Sequence, residues 1–251
     1  TNIVHKCFDG KRKLIVKQYL PYVAKIPSVK MSSKRSFCEE QGIRLFKKYV
    51  GDVVPKIIYH DEKRNILIMT DEKKGLSFEE EKNIEKFTSE QLSKIGKLIG
   101  ELHAKTRGKP GLIKYDIFNL TKYDLLRTKA AEKFFSEEVK EFKKRISKLD
   151  KSVIWGDCCP KNVLIDKKIH FIDLEFCHYG VPSVDLGFFI AHLMLFVIKN
   201  KRYKKKILNG INKMISSYRK ILDDDEVIDL GWKYAGSIMI HKNYSIGKYG
   251  T

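Results

Sequence analysis

One stretch restricts what this chain can become more than any other. It is Val153-Ile154-Trp155-Gly156-Asp157-Cys158-Cys159-Pro160-Lys161-Asn162-Val163-Leu164-Ile165, followed by Phe171-Ile172-Asp173-Leu174-Glu175. Two short apolar runs flank a polar turn, and a third, Ile169 to Ile172, forms a hairpin that returns the chain toward it. Asp157 and Asn162 stand five residues apart, and Asp173 ends the returning strand. Any one of these residues alone is an ordinary turn or cap. In this order and at strand ends, they supply what phosphoryl transfer requires. A carboxylate must orient or deprotonate the attacking hydroxyl, and hard oxygen ligands must hold the magnesium that bridges the phosphates. Asp157 is therefore the expected catalytic carboxylate, with Asn162 and Asp173 as metal ligands.

The remaining sequence sorts into a sheet-rich beginning and a helical continuation. Ile3 to Phe8 and Leu14 to Leu20 are β-rich runs joined by Asp9-Gly10, a hairpin signal. Ser33 is the expected N-cap of a helix from Lys34 to Tyr49, and Val53 to Tyr59 and Asn65 to Thr70 read as two further strands. From Thr88 the period changes: Leu92, Ile95, Leu98, Ile99 and Leu102 recur at helical spacing. Helical segments are also expected over Lys122 to Lys133, Ser136 to Leu149, Val184 to Ile198, Tyr203 to Ile221 and Val227 to Ser237. The change of character between Thr70 and Gly75 marks the boundary. The prediction is an α+β, two-lobed fold, with an N-terminal lobe at 1–71 and a C-terminal lobe at 72–251.

Composition narrows the function class. The 251 residues suffice for one large or two small domains, and 43% apolar with 32% charged residues excludes a disordered chain. The longest apolar run, Leu186 to Ile198, contains His192 and has the length of a buried core helix, shorter than a bilayer span. Residues 1–20 read as strand and turn rather than as a signal peptide. The odd set Cys7, Cys38, Cys158, Cys159 and Cys177 fits neither a disulfide framework nor zinc-ligand spacing. Reduced thiols and a cytoplasmic location are expected. The net charge of +19 is dispersed over short lysine groups such as Lys47-Lys48 and Lys204-Lys205-Lys206, without interleaved aromatics. This reads as lysine-rich solvated faces that help attract ATP, rather than as a nucleic-acid or membrane surface.

The spacing of Asp157 and Asn162 is that of a kinase catalytic loop. The whole block resembles the aminoglycoside phosphotransferase and choline kinase superfamily, whose usual form is His-Gly-Asp-Leu-His-Pro-Gly-Asn followed by Ile-Asp-Phe-Glu or similar. Phe176 to Gly187 continue the match, and the resemblance makes Asp185 a helix cap that braces the catalytic loop. More closely, the chain is similar to the 5-methylthioribose kinases. The shared stretches are Leu14-Ile15-Val16-Lys17-Gln18, Leu20-Pro21-Tyr22-Val23, Asp173-Leu174-Glu175 and the run from Glu175 to Gly180.

This resemblance implies a protein-kinase-like scaffold that uses ATP and Mg²⁺, with Lys17 on the α- and β-phosphates. Glu39 would pair with Lys17, and spacing alone leaves its neighbour Glu40 open. Met69-Thr70-Asp71-Glu72 resembles the hinge, so backbone groups around Met69 and Asp71 would bond the adenine edge. Glu175 would join the metal ligands, and His103 would be structural. His241 and Lys242 stand where methylthioribose kinases present two arginines to the substrate, and the family suggests a homodimer. Some features depart from the pattern. Trp155 and Cys159 replace histidines, which reads as altered packing of the loop, and Asn162 follows the superfamily where methylthioribose kinases often carry Ser. The glycine-rich phosphate loop is expected upstream, since Thr1 to His5 resembles only its downstream edge.

The expected function is ATP-dependent transfer of a γ-phosphate to a hydroxyl of methylthioribose or a related sugar. The alternatives are an aminoglycoside, choline or homoserine kinase, a protein kinase, a non-catalytic ATP-binding module and a basic nucleic-acid-binding protein. Asp-Leu-Glu in place of Asp-Phe-Gly, with no Ala-Pro-Glu after it, speaks against the protein kinase.

Overall fold

The Asp9-Gly10 turn forms as its residues dictate. Gly10 takes φ +87°, open only to a residue without a Cβ at little cost, and Asp9 Oδ1 accepts the N–H groups of Lys11 (3.0 Å) and Arg12 (2.6 Å). The structure, a computed structural model, describes residues 2–72, 76–77, 83, 86–115, 125 and 127–249. Thr1, the Lys73 to Gly75 end of the expected boundary, and 122–124 and 126 of the expected Lys122 helix lie outside the described residues.

The turn joins β1 (Ile3–Phe8) to β2 (Lys13–Gln18). With β5 (Ile57–Asp61) and β6 (Ile66–Thr70) they make an antiparallel sheet of order β1-β2-β6-β5. Lys17 pairs with Val4 on one side and Leu67 on the other, so it sits on an interior strand. A small hairpin without a sequence signal, β3 (Tyr22–Val23) with β4 (Ile26–Lys30), follows β2. Helix α1 (Arg35–Tyr49) buries Cys38, Glu39, Ile43 and Phe46.

Two expectations need correction here. The N-cap of α1 is Lys34, with no side-chain cap, because backbone bonds such as Ser36 N–H to Ser33 O (3.3 Å) close the turn instead of the Ser33 hydroxyl. The strand expected from Val53 starts only at Ile57. Pro55 cannot donate to a ladder, and Val53 O accepts the N–H of Phe171 (2.7 Å) instead of pairing within this sheet.

The larger part is built on helices. In α2 (Ser89–Thr106) a capping box between Thr88 and Gln91 starts the helix, and Leu92, Ile95, Ile99 and Leu102 are buried as their spacing requires. It packs along α6 (Lys204–Arg219). Of the segments expected before the catalytic loop, the described residues form the short α3 (Lys129–Glu132) and α4 (Ser136–Ile146). The apolar helix α5 (Pro182–Lys199) starts before the expected Val184. By length and hydropathy it reaches the threshold for a membrane span, contrary to the estimate from the apolar run alone. However, 72% of it is buried inside the fold, largely against α7 (Asp225–Tyr249), so it serves as a core helix. α7 runs well past the expected end at Ser237.

Short strands position the loop between these parts. β8 (Ser152–Ile154) pairs with β11 (His178–Gly180), and β9 (Val163–Ile165) pairs with both β10 (Ile169–Phe171) and β7 (Leu76–Ser77). The result is the α+β, two-lobed arrangement, with residues 155–162 and 172–177 emerging from the small strands.

Candidate active site

Lys17 crosses from the sheet into a buried ionic cluster. Its Nζ lies 2.6 Å from Glu39 Oε2 of α1 and also bonds Asp173 Oδ1, while the hydroxyl of Tyr19 donates to the same Glu39 oxygen. Glu40, the alternative partner, turns to Arg44 (2.7 Å) and His60 (2.7 Å), so spacing left open what helix phase decides. Burial alone would pull the Lys17 ammonium down. The Asp173, Glu39 and Glu175 carboxylates overcome this and hold it above the ordinary lysine range. Burial pushes Glu39 up despite Lys17, whereas at Asp173 the neighbouring ammonium overcomes burial and holds the carboxyl below its ordinary range.

Glu175 stands just behind. It is fully buried, with Oε2 2.9 Å from Arg35 Nη1 and 2.5 Å from Asn2 Nδ2. Arg35 is also fully buried and spreads its fork over Asn2 Oδ1 (2.9 Å), Leu20 O (3.1 Å) and Ser32 O (2.9 Å). Glu39, Asp173 and Glu175 bring carboxylate oxygens within 4.8 Å of one another, a spacing a metal ion could use. The Lys17 ammonium already bridges two members of that group, and Arg35 serves the third.

The loop carrying Asp157 is held by its main chain. Asp185, near the start of α5, accepts the N–H groups of Trp155 (2.6 Å) and Gly156 (2.8 Å). His103 of α2 steadies Asp185 at 3.2 Å, and Tyr218 of α6 contacts the other ring nitrogen at 2.8 Å. The Asn162 side-chain amide donates to both Asp157 O and Asp157 Oδ2, each at 3.0 Å. This leaves Asn162 Oδ1 with no protein donor among the described residues. Trp155 packs edge-on against Phe46 and Phe171, and its indole N–H donates to Asp173 O (3.2 Å). The one indole thus ties the catalytic loop to the returning hairpin, where Asp173 takes the left-handed φ of +61°.

A cavity of about 290 Å³ lies against these groups. Ile15, Lys17, Met69, Asn162, Ile172 and Asp173 are among its lining residues. Asp71 also lines it, but the N–H groups of Thr70 and Asp71 are spent inside the sheet, on Lys56 O (3.0 Å) and Lys13 O (2.9 Å). These two amides therefore do not present free donors to an adenine edge. A larger cavity of about 590 Å³ between α4 and α7 shares no lining residue with the site.

On the far chain segments, Arg127 Nη2 approaches Asp157 Oδ1 at 4.0 Å, and Lys161 Nζ lies 3.3 Å from Oδ2. Lys242 sits over the ring of Phe188 (5.9 Å), which Arg127 also covers (4.2 Å). Burial pulls His241 down, helped by Arg127 and Lys242, so both residues singled out in α7 belong to this charged neighbourhood. Sequence reasoning missed Arg127, Lys161, Arg35 and Tyr19. Lys161, inside the motif, was the one with a local signal. Cys158 and Cys159 are buried, which pushes their thiols well above the ordinary range and away from nucleophilic use.

Comparisons with known proteins bear on the family and the fold. A family model described as "Phosphotransferase enzyme family" matches residues 12–199. A methylthioribose kinase of Bacillus cereus is 27% identical over 242 residues, covering 82% of this chain and 61% of that protein. The chain thus spans about 61% of the length of that relative. Among solved structures, an aminoglycoside-3'-phosphotransferase of type VIII superposes with a TM-score of 0.57 at 16% identity, covering 94% of this chain and 88% of the other. An amicoumacin kinase in complex with AMP-PNP and Ca²⁺ gives 0.59 at 13% identity, covering 88% and 70%.

Proposed function

Because this chain belongs to the phosphotransferase enzyme family, we propose that it is an ATP-dependent kinase that phosphorylates a hydroxyl of a small metabolite. One observation carries the reading. Lys17, Asp173 and Asn162 line one cavity, and Asn162 hands that cavity on to Asp157 through its side-chain amide. Lys17 would hold the α- and β-phosphates, kept charged by its carboxylate neighbours and kept in place by Glu39. The residues suit a divalent cation: Asn162 keeps a carbonyl oxygen and Asp173 a partly exposed carboxylate, both hard donors. When bound, Mg²⁺ would neutralise charge on the phosphates. Glu175, away from the cavity lining and against Arg35, we assign to holding the Asp173 loop rather than to the metal.

Asp157 performs the chemical step on the acceptor. It orients the hydroxyl and takes its proton as the oxygen attacks the γ-phosphorus, with ADP leaving on the opposite side. Asp185, steadied by His103, holds the backbone at Trp155 and Gly156 just before Asp157, so that this carboxylate would need little reorientation. Methylthioribose or a related sugar is the acceptor favoured by the motifs and by the Bacillus cereus relative. We further place the protein in the cytoplasm, as a homodimer, with the cavity at the seam of lobes 1–71 and 72–251. The test is ATP consumption with Mg²⁺ across methylthioribose, other pentoses, aminoglycosides, choline and homoserine. Asp157→Asn should lower turnover by roughly 10²- to 10⁴-fold while ATP affinity stays near the parent value. Undiminished turnover would remove Asp157 from this role.

A further inference from the structure

The surroundings of Asp157 carry more positive charge than the transferred phosphate explains. Arg127 Nη1 donates to Gly156 O (3.2 Å) and its Nη2 faces Asp157, while Lys161 faces the other carboxylate oxygen. Lys161 can serve the γ-phosphate, while Arg127 also lies over the Phe188 ring at 4.2 Å. A third cation and a neutral, buried imidazole lie beside them. Lys242 of α7 and His192 of α5 converge on Phe188, at 5.9 Å and 4.8 Å from the ring centroid. Among the described residues no carboxylate pairs with Lys242. Burial pulls its ammonium down, with Lys161 and Arg127 acting the same way and the more distant Asp157 carboxylate opposing them. His192 Nε2 is buried and has no hydrogen-bond partner among the described residues.

A buried ring nitrogen without a partner and a half-buried ammonium without an anion in contact are both costly unless a ligand completes them, and as its Nε2–H tautomer His192 would donate to that ligand. The missing group must accept hydrogen bonds and carry negative charge. A neutral sugar satisfies only the first condition, and a cationic acceptor such as an aminocyclitol or a quaternary amine would be repelled. We infer that the acceptor site, taken with the kinase reading above, selects a hydroxylated metabolite that also bears an anionic group, a carboxylate or a phosphate. Lys242, Arg127 and His192 would receive that group, and the hydroxyl would be left at Asp157. This narrows the acceptor from a neutral sugar to its anionic relatives.

Equilibrium binding to the full chain saturated with AMP-PNP and Mg²⁺ tests the inference, using ribose, methylthioribose, ribose 5-phosphate and ribonate as probes. Ribose 5-phosphate or ribonate should bind roughly tenfold or more tightly than the two neutral sugars, with the better of the two identifying the anion. Lys242→Gln should remove most of that preference and its salt dependence, while AMP-PNP affinity stays unchanged. Equal binding of neutral and anionic probes overturns the inference. So does a preference that survives both Lys242→Gln and Arg127→Gln. Tight anion binding without ATP consumption by any acceptor would sink the kinase reading and leave this one standing. Turnover of methylthioribose with no anion preference would do the reverse.

Discussion

Gly156 sits between the Asp185 brace and the Asp157 carboxylate, and replacing it with alanine separates two physical costs. Its φ is +80°, and an added Cβ would lie 2.3 Å from Phe176 O and 3.0 Å from Phe176 Cβ. That carbonyl cannot easily retreat, because His178 Nδ1 contacts it at 2.8 Å. Gly10 provides the matched control, with φ +87° and nothing within 4 Å of the added Cβ. Alanine at either position incurs the left-handed penalty, about 1–2 kcal/mol. At 156 the backbone collision adds about 1–3 kcal/mol, the usual range for overpacking. Thermal unfolding of a chain this size moves about 2–4 °C per kcal/mol, so Gly10→Ala should lower Tm by roughly 2–8 °C and Gly156→Ala by roughly 4–20 °C. Circular dichroism melts with urea titrations of both variants give the difference directly. At a temperature where both remain folded, turnover should fall only for Gly156→Ala, since Asp157 is displaced with its neighbour. Equal stability losses in the two variants would refute the collision, and full turnover in Gly156→Ala would refute the tight positioning of the loop.

Three further outcomes follow from the buried charges. Arg35→Met removes the guanidinium from fully buried Glu175 and should cost about 3–5 kcal/mol in urea unfolding, whereas Arg35→Met with Glu175→Leu should lose less than Arg35→Met alone; a larger loss in the double variant would mean the pair is uncoupled. His192 is held down to about 3 from an ordinary 6.5, so the folded state keeps it neutral while the unfolded chain takes up a proton below pH 6.5. Its contribution should therefore fade as pH drops from 6.5 toward 3, by about 1–2 kcal/mol between pH 7 and 5. His192→Gln should flatten that slope, and an unchanged slope would exclude His192 as its source. Asp185→Asn leaves one oxygen for two amides and a histidine, so kcat should drop by roughly 10²-fold, with ATP binding retained; unchanged kcat would show that the brace is dispensable.

The parts of the site legible in the sequence are those written within a few residues. Asp157, Asn162 and Asp173 announce themselves because turn spacing and strand ends are local properties. Lys17 and Glu39 were legible only through the family resemblance, and the phase of α1, which sends Glu40 outward to Arg44, then decides between the two glutamates. Arg35 was invisible because its partner Glu175 is distant in sequence, and a basic residue beginning a helix looks like any solvated charge. Arg127 was hidden for the same reason, since its meaning comes from Phe188 and Gly156. Strand ends erred where another segment claimed the backbone, as Phe171 claims Val53. The expected use of the amides after Met69 failed at Thr70 and Asp71, because their pairing with Lys56 and Lys13 is a tertiary fact.

The grip of Asp185 has a bearing on how such a loop can drift over generations. It holds residues 155 and 156 through N–H groups that every amino acid except proline offers, so it places no demand on the side chain at 155. Selection for a correctly placed Asp157 can act through position 185 while position 155 wanders. A tryptophan stands there in place of the histidine of the superfamily pattern this chain resembles, and the Phe46 and Phe171 side of the pocket admits its ring. The side chain at 155 thus answers to the space beside Phe46 and Phe171 and to the Asp173 carbonyl its indole reaches, while the path of the loop into Asp157 answers to residue 185.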